Sequence, residues 1–354
     1  LATLEEIAQR AGVSRNTVAR ALCGETKATW ASTARRVAHI RRIAKDLGYL
    51  PNAAAQATRR GRFRAFTLLL STQGGRSNLP IELLDGILDA MAGLGLHLNI
   101  AKIPDEVLTD AAAVPKLLTS WASDGLLVNY THRIPEQMTT LIREHRVPAV
   151  WINSKQSQDC VRPDDFGAAR LATEHLLGLG HRRVVYVDYS HSIVKLGDAH
   201  YSALDRAAGY STAMESAGLP PRIIRQPKDT PMFTRETSSA GWLSESRRPT
   251  AVVCQGTGTL LPLYAACRGL GIDIPRDLSI VDIGVDAPVP LLVTPTLALV
   301  DEKGVGRVAV EMLVRKVAAP SSPQKPLRVA SVLRLGNSTA EPRRRDRSGA
   351  SDAH

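Results

Sequence analysis

Arg15, Asn16 and Arg20 are the residues of this chain whose types and spacing fit a definite chemistry. A guanidinium can fork onto O6 and N7 of guanine, and a carboxamide can pair doubly with adenine, the two best-matched patterns on the major-groove edges of DNA. Ser14 and Thr17, close to a helix start, suit phosphate oxygens, which position a reader without carrying sequence information. Catalytic chemistry is harder to assemble. Gly256-Thr257-Gly258 lacks both the spacing of a dinucleotide fingerprint and the lysine of a phosphate loop. Asp164-Asp165 lie ten or more residues from His175 and His181, which are expected to cap or pack. No nucleophile elbow occurs, so the chain is not expected to be an enzyme.

The elements that must position the three readers follow from periodicity. Leu4, Ile7, Ala8 and Ala11 recur at i, i+3, i+4 and i+7, the mark of an amphipathic helix. Gly12-Val13 breaks it, and Ser14 can cap a second helix. On that helix Val18, Ala21 and Leu22 are expected to turn inward, and Arg15, Asn16, Ala19 and Arg20 outward. Ser32-Thr33 can cap a third helix reaching Leu47, with Val37, Ile40, Ile43, Ala44 and Leu47 as its apolar stripe. Arg35, Arg36, Arg41, Arg42 and Lys45 stay outside. Two readings fit so far: a helix-turn-helix that reads DNA, or a small three-helix unit with a solvated arginine face.

These residues carry a resemblance. The run Thr3 to Leu22, with Ile7-Ala8, Ala11-Gly12-Val13-Ser14, Thr17-Val18 and Arg20, is similar to the headpiece of the lactose-repressor (LacI/GalR) family of bacterial transcription regulators. Leu47-Gly48-Tyr49-Leu50-Pro51-Asn52, followed by Ala55, resembles that family's passage from third helix to hinge. The resemblance implies a hinge helix over Asn52, Ala55, Thr58 and Arg59 that forms on the operator and wedges a leucine into the minor groove. Thr58 occupies the matching position and is a poorer wedge, whereas Arg59, Arg60, Arg62 and Arg64 can hold the backbone or a narrow groove. Without DNA the same stretch is a flexible basic linker.

Charge placement agrees with a polyanion at one end. Of a net charge of +11, residues 1–64 contribute thirteen Arg/Lys against four Asp/Glu, an electrostatic footprint of the kind nucleic acid attracts. No apolar run is long enough to span a bilayer, and no secretory leader is present, so a cytoplasmic protein with no membrane partner is expected. Cys23, Cys160, Cys254 and Cys267 are scattered without a C-x-x-C pair. They are expected to be reduced thiols, with no structural metal and no cofactor.

From Ala65 the pattern changes to short apolar runs alternating with helical stretches. Strands are expected at 66–71, 96–103, 125–129 and 149–153, with helices near 81–94, 111–122 and 135–146. A second set follows, with helices at 166–179, 205–217 and 258–270 and strands at 183–189, 250–254 and 278–283. That alternation predicts two doubly wound, parallel-sheet lobes. The resemblance persists through Glu174-His175-Leu176-Leu177, Leu179-Gly180-His181, Arg206-Ala207-Ala208-Gly209-Tyr210, Asp277-Leu278-Ser279-Ile280-Val281, Pro295-Thr296 and Arg334 to Thr339. It implies a periplasmic-binding-protein-like α/β core with an effector cleft between the lobes and homodimerisation. The expected organisation is a helix-turn-helix headpiece over 1–50, a hinge or basic linker over 51–64, a core over 65–340 and a disordered tail over 341–354.

Ligands of open α/β sheets lie beyond the carboxyl ends of the strands. That rule directs attention to Ser71 to Gly74, Asn129-Tyr130, Asn153, Asp188-Tyr189, Gln255 to Gly258 and Gly284 to Asp286. Arg206, which matches the family arginine before an Ala-Gly-aromatic step, is the leading effector ligand, with Asn153, Gln255 and Asp286; an ion-paired structural arginine is its alternative. Trp151, Tyr130 and Trp242 either stack on a sugar ring or pack in the core. His191, Asp198 and His200 share a loop that is more readily a lid than a metal site. Gly256-Thr257 stands where the family usually carries Asn-Asp, and Gly284 where it carries an acid. The expected function is a dimeric regulator, a repressor by family habit, on a pseudo-palindromic operator, with a carbohydrate as default effector. The rivals are a regulator whose cleft has lost its effector and, from another class, a cytosolic solute-binding protein.

Overall fold

The computed structural model describes residues 2–22, 31–49, 62–189, 200–225, 234–285 and 293–343. The chain divides into two compact units, residues 1–65 with 119–124 and residues 66–118 with 125–354. In the first, α1 (Leu4–Ala11) opens with a capping box. Thr3 accepts from the Glu6 amide at 3.2 Å and the Glu6 carboxylate accepts from the Thr3 amide at 2.7 Å, satisfying two of the amides a helix start leaves free. Gly12 ends the helix at φ 63°, left-handed backbone that a side chain would strain. Ser14 caps α2 (Arg15–Leu22) by accepting from the Thr17 amide at 3.2 Å. The third helix, α3 (Ala31–Asp46), starts ahead of Ser32-Thr33, the cap expected from the sequence. Ile7, Ala8, Val18, Ala21, Ile40 and Ala44 form the buried core of these helices.

The second unit alternates strand and helix. Its first half contains β1 (Ala65–Ser71), α4 (Ile81–Gly93), β2 (His97–Ile103), α5 (Asp105–Leu108), α6 (Leu117–Ser120), β3 (Gly125–Asn129), α7 (Glu136–Glu144), β4 (Ala149–Ile152) and β5 (Cys160–Pro163). Its second half contains α8 (Asp165–Gly178), β6 (Val184–Asp188), α9 (Tyr201–Ser216), β7 (Ile223–Arg225), α10 (Arg235–Leu243), β8 (Ala251–Cys254), α11 (Thr257–Gly269), β9 (Ser279–Gly284) and β10 (Thr296–Leu299). Then come α12 (Glu302–Ala318), β11 (Leu327–Val329) and β12 (Val332–Arg334). Two six-stranded sheets result, ordered β11-β5-β4-β3-β1-β2 and β12-β10-β9-β8-β6-β7. Pairing is parallel at β1–β3, β3–β4 and β4–β5 in the first and at β6–β8, β8–β9 and β9–β10 in the second, while β12 runs antiparallel to β10. The central strands are buried nearly throughout because helices cover both faces.

The chain crosses between the sheets three times: from β5 into α8, from β10 into α12, and from β11 to β12. The first two crossings share one local design. Asp164 and Asp301 each cap the following helix through the amide of a glycine three residues on, Gly167 at 3.3 Å and Gly304 at 2.7 Å. A Cβ on either glycine would collide with the capping carboxylate, which is why Asp-acid-X-Gly occurs at both. The parallel sheets and β1 to β4, β6, β8 and β9 follow the alternation in the sequence, whereas β5, β7, β10, β11 and β12 and the helices α10 and α12 were not expected from it. The single helix expected over 111–122 does not form. Asp110 takes the Ala112 amide at 2.8 Å and Pro115 sits in a 3₁₀ turn over Val114–Lys116, so only short turns of helix flank it. The helix expected from 205 begins four residues earlier, at Tyr201.

Candidate nucleic-acid interface and interlobe cleft

On the α1–turn–α2 hairpin, Arg15, Asn16 and Arg20 are all exposed, and Ser14 and Thr17 lie at the start of α2. Ser14 Oγ stands 2.9 Å from Thr17 Oγ1, so the hydroxyl that caps the helix is held at the same end as the free amides. The arrangement presents planar donors along one face of a short rigid helix and hydroxyls with amides at its N-terminus, the two kinds of contact that base edges and phosphate accept. Ala19 departs from expectation. It is 2% exposed, packed inward with Val18 and Ala21, because a helix this short set against two others buries more than one stripe. Arg36, Arg41, Arg42 and Lys45 of α3 are exposed as well. Asn52, Ala55, Thr58 and Arg59 lie outside the described residues.

The carboxyl ends of the strands carry a dense polar set in the second unit. On the side of the first sheet, Arg76 is buried and donates from Nη1 to both Asp105 carboxylate oxygens at 2.7 and 2.6 Å, with its guanidinium 5.4 Å from the Tyr130 ring centre. On the side of the second, Arg206 donates from Nε to Asp165 at 2.7 Å and from Nη1 to the carbonyls of Gln255 at 2.6 Å and Ile283 at 3.3 Å. Arg206 therefore staples the ends of β8 and β9 to the first turn of α8. Gln255 accepts the Tyr186 hydroxyl through its side-chain oxygen. Asn153, at φ 53°, receives two bonds from the start of α9: His200 Nε2 on its carbonyl at 3.0 Å and Tyr201 Oη on its amide oxygen at 2.8 Å. Of the four effector ligands expected from the sequence, Arg206, Asn153 and Gln255 reach the same end of the fold, each already bonded to protein. Asp286 is outside the described residues.

Three acids missing from the expected set gather here. Asp165 is buried beside Arg206, and Asp282 and Glu302 are 1% and 8% exposed. Each has one carboxylate oxygen with no partner among the described residues: Asp165 Oδ2, Asp282 Oδ1 and Glu302 Oε2. Burial pushes Asp282 up to about 7, resisted by the Arg206 charge. Burial also pushes Glu302 up to about 7, and the Asp165 charge adds to it. The signal for two of them was in the sequence: Asp164-Asp165-Phe166-Gly167 and Asp301-Glu302-Lys303-Gly304 are the same motif, each with an acid directly after the helix cap. Nothing local marked Asp282, whose burial comes from β9 lying third in its sheet.

The other candidates pack. Tyr130 donates to the Ile103 carbonyl at 3.3 Å, and Trp242 donates to Tyr189 Oη at 3.0 Å inside a hydrophobic cluster. Trp151 is 6% exposed. His181 is buried between Thr250 at 2.9 Å and Ser279 at 3.1 Å and meets the Ala340 carbonyl at 2.9 Å, and His175 meets Thr339 at 3.2 Å, so both tie down the closing segment of the chain. His191 and Asp198 lie outside the described residues, and both ring nitrogens of His200 are occupied. Among the described residues Cys160, Cys254 and Cys267 are buried free thiols, no group of acids, histidines and cysteines can hold a metal, and no helix is long and apolar enough to cross a membrane.

Comparison with known proteins agrees with both halves. Residues 3–52 match the model of bacterial regulatory proteins of the lacI family, and residues 173–339 match that of periplasmic binding protein-like domains. The transcriptional regulator GntR of Pseudomonas aeruginosa is 29% identical over 219 residues, 60% of this chain and 61% of the relative. The maltose regulon regulatory protein MalI of Escherichia coli K12 is 26% identical over 224 residues, 62% and 60% of the two chains. PtxS of Pseudomonas plecoglossicida is matched over 53% of its length, so the chain spans between half and two thirds of these relatives. The lac repressor dimer bound to operator and an anti-inducer superposes with a TM-score of 0.74 at 19% identity, over 96% of this chain and 99% of that one. A CelR–cellobiose complex superposes at 0.61 and 21% identity, over 96% and 100%. With a capped helix-turn-helix, two parallel-sheet lobes and both family models in chain order, the chain is similar, part by part, to the lacI family of bacterial regulatory proteins.

Proposed function

We propose that this chain is a cytoplasmic transcription regulator, not an enzyme, that binds a pseudo-palindromic operator as a homodimer and represses. The observation that carries the reading is the exposed Arg15, Asn16 and Arg20 face of α2, held by the Thr3–Glu6 and Ser14 caps. Arg15, Asn16 and Arg20 read bases, Ser14 and Thr17 meet phosphate, and Asn52, Ala55, Thr58 and Arg59 form the hinge contact. The division is a headpiece over 1–50, a linker over 51–64, a core over 65–340 and a tail over 341–354. Dimerisation is supported by Ile81, Leu88 and Ile100, large apolar side chains 68%, 44% and 56% exposed on α4 and β2, which a second copy would cover.

A carbohydrate is the default effector, since relatives of this fold are described with cellobiose and with ribose. Arg206, Asn153, Gln255 and Asp286 remain the proposed ligands, with an exchange of their internal bonds for bonds to the effector. A second reading has its own support: a cleft whose Arg206, Asn153 and Gln255 are satisfied by protein, with Gly256 and Gly284 in place of side chains, suits a regulator that has lost its effector. A thermal-shift screen of the whole chain against sugars, sugar acids, polyols and nucleosides separates the two. A ligand at 100 times its Kd adds about 2.7 kcal/mol. A hit identifies the effector, and a silent library favours the constitutive regulator.

A further inference from the structure

Asn153 is one end of a compact set of contacts between the two lobes of the core. On the first-sheet side stand Asn153 and Lys155, just beyond β4, and Arg162 on β5; on the other stand His200, the cap of α9, and Tyr201 and Asp205 in its first five residues. His200 and Tyr201 both bond Asn153, Asp205 takes Lys155 at 2.9 Å and Arg162 at 3.2 Å, and the Arg162 guanidinium lies 5.2 Å from the Tyr201 ring centre. Three features make this a built device. Asn153 adopts left-handed backbone, which asparagine tolerates better than most residues, and uses both its main-chain and side-chain oxygens on one turn. His200 caps α9 by accepting from the Ser202 amide through Nδ1, so its Nε2 carries the hydrogen that reaches Asn153. The His200 and Tyr201 rings also pack against each other, tilted at 47° with centres 4.2 Å apart, fixing the two donors relative to each other.

We propose that the first turn of α9 is an interlobe latch, with Asn153, Lys155 and Arg162 as its receiver, and that opening or closing this latch sets the angle between the lobes. The latch consists of polar contacts, each of small net strength because water replaces it on opening. That suits an equilibrium a ligand can bias, unlike the apolar packing inside each lobe. It lies at the carboxyl ends of β4 and β5, where a cleft ligand would meet Asn153 directly. Its regulatory consequence rests on the effector-controlled reading above; its existence does not.

The test is made on the whole chain, with Cys23→Ser and dyes on Lys116→Cys and Glu215→Cys, two exposed positions on opposite lobes, diluted among unlabelled copies so that each dimer carries one labelled chain. Single-molecule energy transfer then reads lobe separation without operator or effector. Tyr201→Phe, which keeps the ring beneath Arg162, and Lys155→Glu are each expected to move a several-fold larger fraction of molecules to the longer separation. Asn153→Ala should move the most, and adding Tyr201→Phe to it should change nothing more. A wild-type distribution in Asn153→Ala, with the melting temperature retained, overturns the latch. Operator binding by the same samples reports on the headpiece separately, so a failed regulator reading and a failed latch give different results.

Discussion

Arg20 and Arg206 show how one side-chain type serves two ends at the scale of the residue. Arg20 is exposed on a rigid helix and therefore available to an external acceptor. Arg20→Ala should cost about 1–3 kcal/mol of operator affinity and relax specificity at one base pair; equal losses on operator and random DNA, by competition gel shift, would reduce its role to charge. Arg206 is spent inside the protein. Removing it by Arg206→Ala strands the buried Asp165 carboxylate and frees two carbonyls, so about 3–5 kcal/mol of stability should be lost in urea unfolding. An effector ligand with no structural duty would leave the unfolding midpoint unchanged. Glu302 adds a pH dependence. Its carboxyl titrates near 7 when folded against an ordinary 4.5, so the native state holds a proton that the unfolded chain has released. The stability this confers is complete below about pH 4.5 and is lost as pH rises through 7. Glu302→Gln should therefore remove about 1–3 kcal/mol of the decline between pH 5 and pH 8, seen as a smaller drop in melting temperature. An unchanged drop would place the titration elsewhere, Asp282 being the obvious alternative.

At the scale of the element, helix ends do most of the positioning. Thr3, Ser14, Asp164, Asp301 and His200 each accept a backbone amide at a helix start, and each lies beside a group with a proposed role. Of these only Ser14 was read from the sequence as a cap; Thr3, Asp164 and Asp301 have suitable residue types but were not singled out, and His200 is not a usual cap. The hinge carries Thr58 where the resembled family places a wedging leucine. Thr58→Leu should strengthen operator binding and increase DNA bending by supplying an apolar wedge. Unchanged affinity and bend angle, measured by circular-permutation gel shift, would indicate that Arg59 and its neighbours hold the groove without kinking it.

For the whole molecule, the helix-turn-helix, the alternation of strand and helix and the two-lobed core were legible from Val18, Ile40 and the strand runs, because local periodicity and capping act within a few residues. The crossings that build the cleft were written twice, as Asp-acid-X-Gly, without either copy showing what it faced. That α12 returns to cover the first sheet, that Arg206 meets Asp165 and the Gln255 carbonyl, and that Asn153 receives the first turn of α9 are partnerships between residues 41 to 49 or more positions apart. The sequence alone determined which side chains α2 offers with donors suited to base edges and which longer apolar runs form strands, since these depend on chemical type and short-range spacing. Which polar groups remain available at the cleft was decided only by tertiary structure, because a buried group's partner is chosen by sheet order and helix packing, which bring distant segments together.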